Sequence, residues 1–346
     1  MFGKLMNSYY YGKSGKGDYR KEDLPRTRWQ LFWEMLRVRL AGLMRLNLLY
    51  MLVWLPTMIV LVLGVMGIFY GVMPEEVPTV VDPAAVVEDG AMPSAEDAAI
   101  PEAEAVEIVE MSPEEMVSMV QSVLLMTLLL LIPCMTITGP FTAGLSYVTR
   151  NWARDEHAFA WSDFIDAVKE NWKPSLVVSF ITSLMPVIMY LCWTYYGDLA
   201  NTNAIMVVPQ AITLMLGILW SLAVTYAYPM IVSYKMRLKD VLRNSLLLAV
   251  GRLPMSMGIR LLHCVPAGIA FLVALFINTT WGVFGLMAYY VLLGFGLSRF
   301  VTASYTNAAF DRFINSRIEG AVVNRGLNTD LIDEDDEDEN EEAAEE

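Results

Sequence analysis

The chain has 346 residues, of which 55% are hydrophobic and only 18% are charged. A soluble domain carries about 25% charged residues, so this composition excludes an ordinary cytosolic enzyme. Acidic residues outnumber basic ones, 38 to 24, and the two signs lie in separate stretches. Apolar blocks of about 20 residues, the length that crosses a bilayer core as a helix, recur along the chain. We therefore predict an all-α, polytopic membrane protein.

The first segment, residues 1–46, is basic and aromatic. It lacks the short apolar stretch and small-residue cleavage site of a signal peptide, so we expect the first span to act as the insertion signal. Thr27 and Gln30 have the spacing of a capping box, and the helix that they begin has an aromatic side and several arginines. We expect this amphipathic helix to lie at the cytoplasmic membrane interface. Its membrane-interface residues are Trp29, Trp33, Arg37 and Arg39.

Six candidate spans can be recognised, each ending in polar or turn-forming residues. They are residues 48–72, 116–138, 176–196, 205–232, 259–278 and 282–304, within a membrane domain of residues 47–309. With six spans, all 24 Lys and Arg fall on one side of the membrane. Since Lys and Arg near span ends are retained in the cytoplasm, we predict that both termini are cytoplasmic. The last five basic residues then lie at the inner ends of the last two spans or in the tail: Arg260, Arg299, Arg312, Arg317 and Arg325.

Two acidic segments flank this pattern. The loop of residues 73–115 carries thirteen Asp and Glu, several prolines and no basic residue. We expect it to be extracellular and largely disordered. Residues 310–346 form a cytoplasmic tail, which is nearly all acidic from Asp330 and should be disordered from about residue 328.

The loop of residues 139–175 is the most distinctive part of the sequence. Apolar residues recur at helical spacing from Phe141 to Trp152, and Ser162 is a plausible cap for a second helix. That second helix should lie in the plane of the cytoplasmic surface. Two interpretations stay open: membrane anchoring with bundle stability, or a docking platform for a partner. The candidate partner-binding residues are Gly139, Pro140, Gly144, Arg150, Asn151, Arg154, His157, Trp161, Asp163 and Trp172.

No pattern in the sequence predicts catalysis. The three cysteines lie far apart without CxxC spacing, and no Ser-His-Asp, Cys-His or paired-carboxylate arrangement can be assembled. Residues Gly12-Lys13-Ser14 lack the earlier glycine of a phosphate-binding loop. We expect no enzymatic activity, catalytic residue, metal or cofactor, and no nucleic-acid partner. The spans carry only mild polar groups at their centres, of which Gln121 and Gln210 could line a cavity for a neutral ligand.

Residues 139–173, GPFTAGLSYVTRNWARDEHAFAWSDFIDAVKENWK, resemble the YesL-like family of bacterial integral membrane proteins. The stretch from Gly12 to Pro25 and the Arg-Trp helix after it are also similar to that family. The resemblance extends over most of the chain, with residues 73–115 as an insertion. It implies a bacterial cytoplasmic membrane and an association with carbohydrate import, because members are often encoded beside uptake transporters of the ATP-binding-cassette (ABC) type. It implies no catalytic residues, because the family has no established biochemical function.

Two hypotheses for the function follow. In the first, the protein is a non-enzymatic accessory or regulatory subunit that contacts the lipid bilayer and the subunits of an ABC-type sugar transporter through residues 139–175. In the second, the bundle is itself a permease or channel for a small neutral solute. A wide polar cavity between kinked helices would favour the permease, and a packed core with an exposed aromatic patch would favour the accessory subunit. The sequence does not predict an oligomeric state.

Overall fold

A computed structural model describes residues 25–72, 75–79, 105–109 and 111–328 of the chain. The predictions for residues 1–24, for most of the acidic loop and for the tail after residue 328 lie outside the described residues. The described part is built almost entirely of helices. They are α1 (Arg28–Val72), α2 (Pro113–Ala153), α3 (Ser162–Ala200), α4 (Val207–Ser233), α5 (Leu238–Gly251), α6 (Leu253–Phe276), α7 (Thr279–Tyr289) and α8 (Phe295–Phe313).

The six predicted spans are confirmed as six helical segments that are long and apolar enough to cross a membrane. Helices α1, α2, α3, α4 and α6 each supply one segment, and α7 and α8 together supply the last. The amphipathic helix α5 joins α4 to α6 and is too short to span a bilayer. The architecture is therefore a helical membrane bundle.

The acidic loop contains one regular feature. Strands β1 (Glu75–Thr79) and β2 (Ala105–Val109) pair in antiparallel register, with Glu75 opposite Val109 and Thr79 opposite Ala105. The loop was expected to be largely disordered, and these two five-residue strands are an ordered part of it. Residues 111–115, which include the start of α2, are also described, and the rest of the loop lies outside the described residues.

Helices α7 and α8 are joined by a π-helical turn, Tyr290–Gly294. A π-helical turn leaves backbone groups without their usual α-helical partners, and Asn47 of α1 bonds to three of these. Its Nδ2 donates to the carbonyls of Tyr290 and Val291 at 2.9 and 2.8 Å, and its Oδ1 accepts from the amide of Gly296 at 2.9 Å. One fully buried side chain thus joins the first span to the last.

The structure corrects the prediction of separate in-plane helices before the first span and after Ser162. Both segments are continuous with spans: α1 runs unbroken from Arg28, and α3 runs from Ser162 through Pro174. At 1.5 Å per residue, the 45 residues of α1 extend over roughly 68 Å, more than twice the thickness of a bilayer core of about 30 Å. The amphipathic stripes of these segments are only partly buried: Phe164 packs in a core with neighbouring helices, whereas Trp29 and Trp33 stay exposed.

Candidate functional site

The extensions of α1, α2 and α3 pack together with α8 at one end of the molecule. We call this part the head (residues 25–46, 139–175 and 300–328). Its core contains Leu43, Trp152, Phe164 and Phe300, all buried. All ten predicted partner-binding residues and the four predicted membrane-interface residues lie in the head, where they fall into groups with different surroundings.

The glycines of the predicted motif lie where α2 and α3 cross. A Cβ atom at Gly139 would stand 2.5 Å from the carbonyl oxygen of Ser175, and one at Gly144 would stand 2.8 Å from that of Phe164. Only glycine allows such a close approach of two helix backbones. Pro140 is buried between them, inside α2. These three positions pack helices and leave no room for a ligand.

Two arginines at the end of α2 contact the C-terminal part of the chain. The side-chain amide of Asn307, in α8, donates to the carbonyl of Arg150 at 3.3 Å, and Arg150 in turn donates to the Oδ1 of Asn151. Arg154 donates to the carbonyl of Val322 and forms an ion pair with Glu156 at 3.4 Å. Arg150 therefore joins α2 to α8, Arg154 holds the segment after α8, and Asn151 bonds within the end of α2.

The head contains a buried carboxylate cluster that the sequence analysis missed. Asp311, only 5% exposed, accepts from Arg28 at 2.9 Å, from Asn315 at 2.6 Å and from the amide of Asn324 at 3.2 Å. The hydroxyl of Tyr234 donates to Asn315 at 2.7 Å. Burial, and secondly the charge of Asp311, raise the pKa of Tyr234 to about 12. This cluster ties the first helix to the last, a long-range arrangement without a local sequence signal.

The connection between α2 and α3 exposes three aromatic rings. We call His157, Phe159 and Trp161 the aromatic patch; Phe159 and Trp161 are 62% and 61% exposed, and His157 contacts Phe159 edge-on at 4.5 Å. The backbone below them is fixed, because Asp163 accepts from the amide of Phe159 at 2.9 Å and Trp152 donates to the carbonyl of Ala158 at 3.0 Å. Two of the predicted partner-binding residues thus form a rigid exposed surface together with Phe159, which was not predicted.

The remaining predicted residues lie on other faces of the head. Trp172 is exposed on α3, and Trp29, Trp33 and Arg37 are exposed on α1, while Arg39 is partly buried. Trp29 and Trp33 contact each other edge to face, with ring centroids 5.5 Å apart. Exposed tryptophans of this kind are enriched where membrane proteins meet the bilayer surface.

Below the head, the bundle encloses a cavity of about 350 Å³ among α1, α2, α3, α4, α6 and α8. We call it the arginine cavity. Its polar and aromatic lining consists of Tyr50, Trp54, Thr138, Thr142, Ser179, Thr182, Trp220, Ser221, Tyr228, Arg260 and Arg299. Pro186, which lies inside α3, also lines it, whereas Gln121 and Gln210 do not.

Most of the polar groups of this cavity have partners within the protein. The hydroxyls of Tyr50 and Thr142 lie 2.6 Å apart, and Trp220 donates its Nε1 hydrogen to Thr182 at 3.1 Å. Ser179 donates to the carbonyl of Met135 at 2.6 Å. The hydrogen bonds in the wall of the cavity therefore also link α1, α2, α3 and α4.

The two arginines lack such compensation. Arg260 donates to the carbonyl of Ser221, but its buried Nε has no partner in the part of the chain that the structure describes. The guanidinium of Arg299 lies 5.4 Å from the ring centroid of Tyr228. Among the described residues, neither arginine forms an ion pair with a carboxylate. Charged side chains within membrane spans are rare and are often functional, which marks this pair as a candidate binding site.

The sequence analysis placed Arg260 at the inner end of its span. The helix begins at Leu253 rather than at residue 259, with Pro254 in its first turn, so Arg260 lies about two turns after the start of the helix rather than in its first turn. Arg299 lies within the predicted span 282–304. Two arginines inside predicted spans were a signal for an intramembrane site; their common cavity was not predictable from their separation of 39 residues.

The chain is similar to proteins whose function is not known. The family described as "Protein of unknown function, DUF624" matches residues 119–193, which comprise most of α2 and α3. Over 127 residues the chain is 26% identical to the "Uncharacterized protein YesV" of Bacillus subtilis (strain 168), a match that covers 36% of this chain. The chain spans about three fifths of that relative's length, 60%. No solved structure matches the chain. Both similarities are consistent with the resemblance to the YesL-like family.

Proposed function

We propose that this protein is a non-enzymatic accessory or regulatory subunit of a bacterial cytoplasmic membrane, which works with an ABC-type carbohydrate uptake system through its head. The aromatic patch is the observation that carries this proposal. Exposed aromatic side chains dominate the binding energy of many protein interfaces, and a fixed backbone reduces the entropy that is lost on binding. The family resemblance supplies the kind of partner.

The proposal requires the head to be cytoplasmic. The distribution of Lys and Arg supports this orientation, because all of them fall on the side of the head when six spans are counted. A chain in which the native cysteines are replaced by serine allows a test. A cysteine in place of Ser112, before α2, should react with an impermeant thiol reagent on intact cells, and one in place of Ser316, after α8, should not. Labelling of Ser316→Cys alone would show that the head faces the outside of the cell, and would contradict the predicted orientation.

The decisive experiment is a pull-down of the full chain from native membranes in a mild detergent, followed by mass spectrometry. Subunits of an uptake transporter should be recovered with the wild-type protein in stoichiometric amounts. The double substitution Phe159→Ser and Trp161→Ser should reduce that recovery by about tenfold or more, since loss of one aromatic anchor often costs 2 kcal/mol. Trp29→Ser is the matched control, since it removes an equally exposed tryptophan from another face of the head.

Recovery of the purified chain alone, at good yield, would contradict the accessory role. An equal loss of the partner in Trp29→Ser would also contradict the role of the aromatic patch, because the effect would then follow from a general change at the membrane surface. Size-exclusion chromatography of each variant checks that the chain remains folded.

A permease or channel for a small neutral solute is the second candidate, and the arginine cavity favours it. The hydroxyls of Thr138, Thr142 and Ser179 give the cavity walls polar groups between the helices. Two unpaired guanidiniums suit a neutral solute less well than an anionic one. Flux of labelled sugars into liposomes that contain the purified chain tests this candidate directly, and uptake no faster than in empty liposomes would exclude it for those sugars.

A further inference from the structure

The arginine cavity meets a second cavity on its side. This second cavity, of about 400 Å³, lies between α4 and α6, and we call it the apolar groove. Its lining consists of Met189, Gly217, Ile218, Ser221, Leu222, Met257, Arg260 and Leu261. Both cavities are lined by Met189, Gly217, Ser221 and Arg260, so the arginine cavity and the more apolar groove share a boundary that includes Arg260.

The apolar groove faces outward. Ile218, Met257 and Leu261 belong to spans and are 55%, 43% and 65% exposed. In a membrane, side chains exposed on a span contact the lipid acyl chains. The groove is therefore continuous with the hydrocarbon region of the bilayer, while the arginine cavity lies further inside the bundle.

The charge of the arginine cavity specifies the complementary ligand. Arginine guanidiniums bind phosphate and carboxylate oxygens through paired hydrogen bonds. Arg260 and Arg299 line one chamber, and no carboxylate of the described chain forms an ion pair with either of them. The buried Nε of Arg260 has no hydrogen-bond partner among the described residues, so the guanidinium is not fully satisfied within the chain. The ligand of complementary charge is an anion.

We infer that the arginine cavity binds the anionic head group of a membrane amphiphile, whose acyl chain lies in the apolar groove. The phosphate or carboxylate contacts Arg260 and Arg299. Arg260 marks the point where head group and chain join, because it lines both chambers. A soluble phosphate ester shares the anionic chemistry but leaves the apolar groove empty. This site lies outside the aromatic patch, and its test needs no transporter partner.

The test measures lipid that remains bound to the purified full chain by native mass spectrometry. The chain is exchanged into a neutral detergent with phosphatidylglycerol or phosphatidylcholine at equal concentrations. Wild-type protein should retain phosphatidylglycerol at least about tenfold better than phosphatidylcholine, as expected for a charge-assisted, partly desolvated contact. The double substitution Arg260→Gln and Arg299→Gln should abolish that preference.

Arg312→Gln with Arg317→Gln is the matched control. Both of these arginines are exposed near the end of α8 and lie outside the arginine cavity, so this variant loses the same charge and should keep the preference. Arg260→Lys with Arg299→Lys retains the charge and should retain most of the preference. If the lysine variant binds phosphatidylglycerol and the glutamine variant does not, loss of the fold cannot explain the result.

Fluorescence quenching tests the site in a chain that keeps both arginines, so the result does not depend on whether an arginine variant folds. Trp54 and Trp220 line the arginine cavity, so phosphatidylglycerol brominated on its acyl chain should quench tryptophan fluorescence at lower mole fractions than brominated phosphatidylcholine does. Trp220→Phe should reduce this difference. Equal quenching by the two lipids would overturn the inference.

The source of the anion is tested with sn-glycerol 3-phosphate, which has the phosphate without acyl chains. We expect millimolar concentrations of it to displace little bound phosphatidylglycerol, since it gains nothing from the apolar groove. Displacement at concentrations similar to those of the lipid would show a site for a soluble anion and overturn the lipid assignment. Retention of phosphatidylglycerol by the double glutamine variant would overturn the site itself.

Discussion

The head and the arginine cavity both contain arginines, but their charges are compensated differently. In the head, Arg28 pairs with Asp311 and Arg325 pairs with Glu156, at 2.9 and 2.8 Å. In the cavity, Arg260 and Arg299 have no carboxylate partner among the described residues. A positive charge that is paired within the chain ties helices together, whereas one without a partner favours a ligand from outside. The head therefore has its own ion pairs, whereas the arginine cavity is suited to a ligand of negative charge.

The largest effect should come from the buried carboxylate of the head. Asp311→Ala removes the acceptor of three hydrogen bonds and leaves Arg28 without its ion-pair partner, with only its hydrogen bond to the Oδ1 of Asn324. We expect a loss of about 2–4 kcal/mol in the free energy of unfolding, because a partly buried charge is left unpaired. The thermal midpoint in detergent measures this loss.

The matched control for that substitution is Asp166→Ala. Asp166 pairs with Lys169 at 3.6 Å, but both side chains are more than 70% exposed, so the change should stay within about 0.5 kcal/mol. Equal destabilisation by the two substitutions would mean that the Asp311 cluster does not hold the head together.

The next effect compares two crowded glycines. An alanine Cβ at Gly144, in the head, would meet the backbone of α3, which cannot move independently of its helix. We expect Gly144→Ala to cost about 1–3 kcal/mol through overpacking. An alanine Cβ at Gly217, at the edge of the arginine cavity, would meet only the flexible end of Met189, so Gly217→Ala should cost less and can recover helix propensity. The thermal midpoints of both variants measure this difference. A lower midpoint for Gly217→Ala than for Gly144→Ala would contradict the prediction.

A smaller effect on the free energy of unfolding should differ between Arg28, which has a carboxylate partner, and Arg260, which has none among the described residues. In detergent without anionic lipid, Arg28→Gln should lower the free energy of unfolding by about 1–2 kcal/mol, because Asp311 loses a charged donor. Arg260→Gln should leave it unchanged or raise it, because it removes an uncompensated charge from the bundle. Added phosphatidylglycerol should then stabilise the wild type and not Arg260→Gln. If Arg260→Gln destabilised the protein as much as Arg28→Gln does, the arginine would be a structural residue.

The smallest effect concerns alkaline pH. The pKa of Tyr234 is raised to about 12 by burial and, secondly, by Asp311, while an unfolded tyrosine has a pKa of about 10. Between these values the unfolded chain has lost the proton that the folded chain keeps, so stability falls as pH rises from about 10 to about 12. Tyr234→Phe should make this fall shallower when thermal midpoints are followed across that range. An unchanged slope would show that other groups determine the alkaline limit.

Hydropathy was sufficient to predict the spans, because each is a local run of apolar residues. The packing of the segments beyond them was not predictable in the same way. The apolar stripe of Phe164 and Val168 is the same whether a helix lies on a membrane or against another helix, and only the close approach of Gly144 to α3 distinguishes the two. Asp311 and Arg28 are 283 residues apart. Arg260 and Arg299 lie on two successive spans and are 39 residues apart. Such contacts depend on the tertiary arrangement, for which a single sequence contains no periodic signal.

The bonds of Asn47 to the π-helical turn have a consequence for how the protein is made. The amide of Asn47 enters the membrane with the first span, but its three backbone partners belong to the last one, more than 240 residues later. A polar amide without partners in lipid is unfavourable, so the first span cannot reach its final environment until the ribosome has completed the sixth. The first and last spans can therefore be joined only after the last span has been made, and a chain that is cut short before Tyr290 lacks all three backbone partners of Asn47.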